Sequence, residues 1–263
     1  MSAYLKDRPF GYVTPANRDV KMTSVDHQQI SGYSVGIVYI ENVNYPLIPG
    51  NVVNAYTYDF PVRMMPVKNL VNERLFNADP TVKDDIIATA KHMVEAEGVR
   101  AICSACGFFG NFHKDVAAAV DVPVAMSSLV QIPWIRTLLR PGQKIGVLTA
   151  NGASISDELL KNCGVDDSSD LVFRGMETSK EFSVVLDNRG HFDNNIARQE
   201  VVNAALEITS KHDDIGAILL ECSDMPPYAA DIQAATQLPV FDFITLIKWL
   251  HNAVMQKPYN GWV

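Results

Sequence analysis

AICSAC at residues 101–106 and AILLEC at residues 217–222 are apolar runs that each end in cysteine, 116 positions apart. The match continues without a gap over residues 100–134 and 216–250. Ala101, Ile102, Cys106, Asp115, Ala118, Ala119, Pro123 and Val124 recur as Ala217, Ile218, Cys222, Asp231, Ala234, Ala235, Pro239 and Val240. Eight identities in 35 positions exceed what shared apolar patterning gives, so the chain reads as an internal duplication.

Outward from the two runs, short apolar stretches alternate with longer segments of helical period, which is the α/β signature. The first half predicts strands over residues 34–41, 54–62, 100–105 and 122–126, with helices near 81–97 and 111–120. The second half predicts strands over 144–149, 170–174, 217–221 and 238–243, with helices from about 154 and over 199–211 and 227–236. The order is the same in both halves. It implies two similar flavodoxin-like lobes with open parallel sheets, related by a pseudo-twofold axis, with the site between them. The expected division is an N-terminal extension (1–33), a first lobe (34–126) completed by the C-terminal helix (245–263), and a second lobe (127–244). The extension is polar and punctuated by Pro9, Gly11, Pro15 and Gly32. The segment NYPLIPGN at residues 44–51 reads as a loop and, by its place after the first strand, as a cleft rim.

The 263 residues, 48% hydrophobic and 20% charged, suffice for a full core. A formal net charge of -8 without a basic run argues against nucleic acid as partner. No apolar stretch approaches the roughly 20 residues of a membrane span, and the N-terminal stretch carries no secretory signal. Four cysteines do not make a disulfide framework, which points to a reducing, cytoplasmic setting. A homo-oligomer is compatible with the sequence.

Cys106 and Cys222 each stand where a buried strand gives way to a loop and helix, the ligand position of open α/β sheets. One such cysteine alone reads as a small hydrophobe. Two at equivalent tips of a duplicated fold face one cleft from opposite sides, as a two-base proton transfer requires. Helix N-termini nearby are expected to lower the thiol pKa values and to attract a carboxylate. Cys103 and Cys106 do not read as a redox pair, because Cys103 lies inside a strand, and Cys163 reads as structural. The strand tip after residue 149 offers Thr149, Asn151 and Ser154 as carboxylate donors or ordinary caps. Ser127, Ser128 and Asp242 have similar but weaker standing. The histidines show no metal-ligand spacing, and no GxGxxG or phosphate loop is present.

Taken together, SACGFFGNF, PVAMSSLVQIP, IGVLTAN, LLECSDMPPYA and LPVFDF resemble the aspartate/glutamate racemase superfamily over roughly residues 34–255. The resemblance implies that Cys106 and Cys222 act as acid and base without pyridoxal phosphate, metal or other cofactor. It also implies that Gly107, Phe108, Thr149, Asn151, Ser223 and Asp224 hold a small carboxylate substrate. Where glutamate racemases follow the cysteines with Asn-Thr and Thr-His, this chain has Gly107-Phe108 and Ser223-Asp224, so Phe108 suggests a less polar pocket. The leading expectation is a cofactor-independent racemase or epimerase of a small amino acid or related carboxylic acid. The alternatives are an isomerase or lyase resembling maleate isomerase or arylmalonate decarboxylase, and a noncatalytic two-lobed carboxylate binder.

Overall fold

The KIGVLT run at residues 144–149 forms a strand over its whole length, and the other strands arrange themselves about it and its counterpart in the first half. The computed structural model describes residues 30–263. The first sheet contains β1 (Val35–Ile40), β2 (Val62–Val67), β3 (Ala101–Ser104) and β4 (Val124–Ala125). The second contains β5 (Lys144–Thr149), β6 (Leu171–Gly175), β7 (Ile215–Leu220) and β8 (Val240–Phe241). Both are parallel, in the orders β2-β1-β3-β4 and β6-β5-β7-β8. The topology is thus one motif used twice, and the duplication holds to the residue. Ile102 pairs with Val124 and Cys103 with Ala125; Ile218 pairs with Val240 and Leu219 with Phe241.

The helices are α1 (Asn72–Phe76), α2 (Lys83–Glu95), α3 (His113–Ala119), α4 (Ile132–Leu138), α5 (Asp157–Asn162), α6 (Val184–Asp187), α7 (Asn194–Lys211), α8 (Ala229–Thr236) and α9 (Phe243–Val254). The long helices α2 and α7 press onto the centres of their sheets, where each lobe keeps a glycine in its first strand. A Cβ at Gly36 would lie 2.7 Å from Met93 of α2, and one at Gly146 would lie 3.1 Å from Ile208 of α7. Strand periodicity then sorts the rest. Val35 and Ile37 of β1 and Ala101 and Cys103 of β3 face one side, where Phe243, Leu246, Ile247 and Leu250 of α9 cover them. The Asp242 carboxylate caps α9 by accepting the Thr245 N–H at 2.7 Å.

The last helix of each half therefore covers the other half. Leu129, Ile132 and Ile135, which follow β4, join one cluster with Ile145 and Val147 of β5 and Leu219 of β7. Arg136 of α4 also pairs with Asp170, just before β6. Each lobe is completed by a helix that its own sheet does not use.

One expectation needs correction. The strand expected over 54–62 is not formed over 54–61: Asn54 caps a single 3-10 turn, Ala55–Thr57, and the Tyr58 hydroxyl donates to the Val52 carbonyl. The strand is the following VRMMPV, which tolerates Pro66 because β2 is an edge. The helices expected over 111–120 and 227–236 run over His113–Ala119 and Ala229–Thr236, each led in from its cysteine by a 3-10 turn, Gly107–Phe112 and Pro226–Tyr228. Residues 1–29 of the expected N-terminal extension lie outside the described residues. Among the described residues no helix is long and apolar enough to cross a membrane.

Candidate active site

Each cysteine stands two residues beyond its strand, and the backbone around the two is held alike. Ala105 N–H bonds to the Val38 carbonyl and Glu221 N–H to that of Leu148, both at 2.8 Å. Phe109 N–H then turns back to the Cys106 carbonyl, and Met225 N–H to that of Cys222, both at 3.2 Å. These paired turns bring Cys106 and Cys222 to one cavity of about 400 Å³ between the lobes.

The roof comes from the first lobe. The loop after β1, including the NYPLIPGN segment, crosses to the second lobe: Val52 N–H bonds to the Ser223 carbonyl, and Asn51 donates to Asp224 Oδ1 at 2.6 Å. Gly50, at φ +97°, rests on Pro227, where a Cβ would lie 2.8 Å from the proline Cα. A clasp closes the far side, with Asn188 Nδ2 donating to the Asn42 carbonyl and Asn44 N–H donating to Asn188 Oδ1. Asn72 of α1 donates to the Val185 carbonyl in the same region.

Of the residues singled out in the sequence, Cys106, Gly107, Phe108, Cys222, Ser223 and Asp224 line the cavity. Thr149 and Asn151 do not. Thr149 is buried behind it and donates to Glu221 Oε2 at 2.7 Å, and Asn151 Nδ2 donates to Ser154 Oγ. Ser127 and Asp242 are helix caps, and Ser128 donates to the Leu220 carbonyl. Cys103 and Cys163 are core residues. The rim residues Tyr45 and Asn51 line the cavity as well, and so does Glu221, which the sequence reading passed over. Its signal was the mismatch in the repeat: Glu221 stands where the first lobe has Ala105.

The electrostatics differ from expectation. Burial first, then the Glu221 carboxylate, pushes the Cys106 thiol well above its usual range, against one backbone hydrogen bond from Phe108. Burial, then Asp224 and Glu221, does the same to Cys222, against a backbone hydrogen bond from Asp224. The expected lowering fails because desolvation and two carboxyls outweigh single N–H bonds from 3-10 turns. Burial also raises Asp224 despite bonds from Tyr45, Asn51, Cys222 and Ser223, and pushes Glu221 up to about 7. The Cys222 thiol donates to Asp224 Oδ2 at 3.6 Å.

No Lys, Arg or His is among the lining residues. Two carboxyls and the rings of Tyr39, Tyr45, Phe76 and Phe108 are. Such a cavity favours a ligand with a positively charged head, through carboxylate attraction and cation–π contact, and offers two thiols beside it.

Two duplicated α/β lobes with a thiol at the matching strand tip of each give the chain the fold of solved allantoin and glutamate racemases. The allantoin racemase of Pseudomonas fluorescens shares the fold with a TM-score of 0.59 at 14% identity, over 87% of this chain and 100% of that one. No family model matches the chain. A dimethylsulfoniopropionate lyase of Emiliania huxleyi is 32% identical over 262 residues, 96% of this chain and 74% of that protein. Another, from Durusdinium, is 30% identical over 234 residues, 87% of this chain and 77% of that protein. The chain belongs to the dimethylsulfoniopropionate lyase family, and its fold and family are those of enzymes.

Proposed function

We propose that this chain is a lyase that eliminates dimethyl sulfide from dimethylsulfoniopropionate and leaves acrylate. The observation that carries the reading is a cavity with two thiols, two carboxyls and four aromatic rings but no cationic side chain among its lining residues. A sulfonium cation suits that lining, whereas an anionic substrate without a cationic head does not. The family names support a lyase, the runner-up class of the sequence reading.

The chemistry needs one base. A thiolate removes a proton from C2, beside the substrate carboxylate. The electron pair of that C–H bond becomes the C2=C3 double bond, and the C3–S pair leaves with dimethyl sulfide. Cys222 is the better placed thiol, because Asp224 already accepts its hydrogen bond and can take its proton. Burial raises the thiol pKa values most and the neighbouring carboxyls add to it; entry of the sulfonium offsets the carboxyl part, so ionisation follows binding. Cys106 faces the substrate from the other lobe, and Gly107 and Ser223, directly after the two thiols, receive its carboxylate. The free cysteines support a reducing, cytoplasmic setting.

The test is incubation of the purified protein with dimethylsulfoniopropionate at pH 6 to 9, with headspace dimethyl sulfide followed by gas chromatography and acrylate by NMR. Equal release of both products supports the reading; none above a protein-free control overturns it. The symmetric thiols also support a second reading, α-carbon racemisation of a small amino acid or related carboxylic acid. Deuterium exchange at Cα of an amino acid in heavy water, without dimethyl sulfide release from the sulfonium compound, would favour that one.

A further inference from the structure

Glu221 is 1% exposed, and its two oxygens are treated very differently. Oε2 accepts from Thr149 at 2.7 Å, while the equally buried Oε1 has no hydrogen-bond partner. A buried oxygen left bare costs free energy, so its position calls for a reason. The reason lies across the lobe boundary. A Cβ at Gly107 would fall 1.8 Å from Oε1, so this oxygen is seated against the residue directly after Cys106. No other side chain than glycine's hydrogen leaves that space. The repeat gives the first lobe Ala105 at the matching place, so the carboxyl belongs to one half only.

We propose that Glu221 and Cys106 share one proton, with Glu221 Oε1 as the acceptor that receives the Cys106 proton and returns it. The cavity then holds two thiol–carboxyl pairs, Cys222 with Asp224 and Cys106 with Glu221, both carboxyls coming from the second lobe. The exchange is balanced: the S–H bond of Cys106 breaks, an O–H bond forms on Glu221, and the pair keeps a single negative charge. Glu221 acts through Cys106 and is a positioning residue for its proton. The tendency of its carboxyl to titrate near 7 suits the role, since such a group is both acid and base at neutral pH. The titratable groups facing it are Cys106 and Cys222 in the cavity and Cys163 beneath it, with Asp224 beyond Cys222.

The role of Cys106 in catalysis rests on the lyase reading, but the shared proton does not, and the experiment separates them. The intact protein is treated with iodoacetamide at pH 6 to 9, and peptide mass spectrometry gives the alkylation rate of Cys106 alone. A pair that shares one proton has a constant thiolate fraction while it carries that proton. The wild-type rate should therefore level off above about pH 7 and stay flat over roughly two pH units. Glu221→Gln cannot accept the proton, so its rate should climb about tenfold per pH unit throughout, as a lone thiol does. Glu221→Asp should restore a plateau. In the lyase assay, Glu221→Gln should lower kcat about a hundredfold with KM changed less than threefold. A wild-type rate that rises as steeply as that of Glu221→Gln overturns the shared proton, whatever the lyase assay shows. Absence of dimethyl sulfide release with the plateau intact overturns only the lyase reading.

Discussion

Replacing Glu221 by Gln should make the protein more stable at neutral and alkaline pH, although it removes a group from the cavity. The carboxyl is fully buried, and burial moves its pKa from an ordinary 4.5 to about 7 in the folded chain. The native state thus holds this proton more tightly than the unfolded state. Below pH 4 both states are protonated and the group is neutral in its effect. As pH rises from 4.5 to 7 the unfolded chain gains by ionising and the native chain does not, so stability falls. A separation of about 2.5 at about 1.36 kcal/mol each amounts to about 3 kcal/mol, fully expressed above pH 7. Gln keeps an oxygen for Thr149 and places its amide where the acid has the unpartnered Oε1, so neither side chain has a hydrogen bond there. Asp224 and Asp242, also raised by burial, are present in both proteins and cancel. Urea denaturation at pH 4 and pH 8 measures the difference. It should grow from within about 0.5 kcal/mol at pH 4 to about 3 kcal/mol in favour of Glu221→Gln at pH 8. A variant of equal or lower stability at pH 8 would refute the reasoning, and so would a difference that does not change with pH.

Gly107→Ala should destabilise by about 2 kcal/mol or more, because its Cβ collides with Glu221; adding Glu221→Ala should recover over half of the loss, read by the same denaturation. Cys106→Ser and Cys222→Ser should each lower dimethyl sulfide release by about 10²-fold to 10⁴-fold, and full release from either would remove that thiol from the mechanism. Tyr45→Phe removes a donor to Asp224 and should cost about tenfold in kcat with KM changed less than threefold, the loss of one charge-assisted hydrogen bond. Release by the wild type should rise with pH through about 7, where Glu221 ionises and becomes able to take the Cys106 proton; a rate falling over that range would contradict the assignment.

The architecture was legible because the repeat carried it. The identity of Cys106 with Cys222 and Pro123 with Pro239 marks matching strand tips in the sequence itself, and the register of β3–β4 and β7–β8 repeats residue for residue. The error at residues 54–62 came from aromatic and β-branched composition, which the Asn54 cap and the Tyr58 bond to Val52 override. In the cavity lining, Cys106, Cys222 and the residues directly after them are legible from the repeat, and what depends on burial is not. Glu221 ends an apolar run, where an acidic residue ordinarily marks the strand's exit to solvent. Only the approach of Gly107 shows that it exits into another lobe. The thiol pKa values were misjudged for the same reason: helix termini are visible in sequence, but desolvation by the opposite lobe is not.

The exchange of closing helices has a consequence for how the chain is made. Residues 35–125 leave the ribosome with one face of their sheet bare, since the helix that covers Val35, Ile37, Ala101 and Cys103 spans residues 243–254 and is synthesised only after the second sheet. The second sheet has its covering residues, Leu129 to Ile135, in hand before its first strand emerges. The later half should thus be able to mature first, with the earlier half waiting on α9. Loss of a few residues from α9 would strike the lobe at the opposite end of the sequence, and with it the Cys106 side of the cavity.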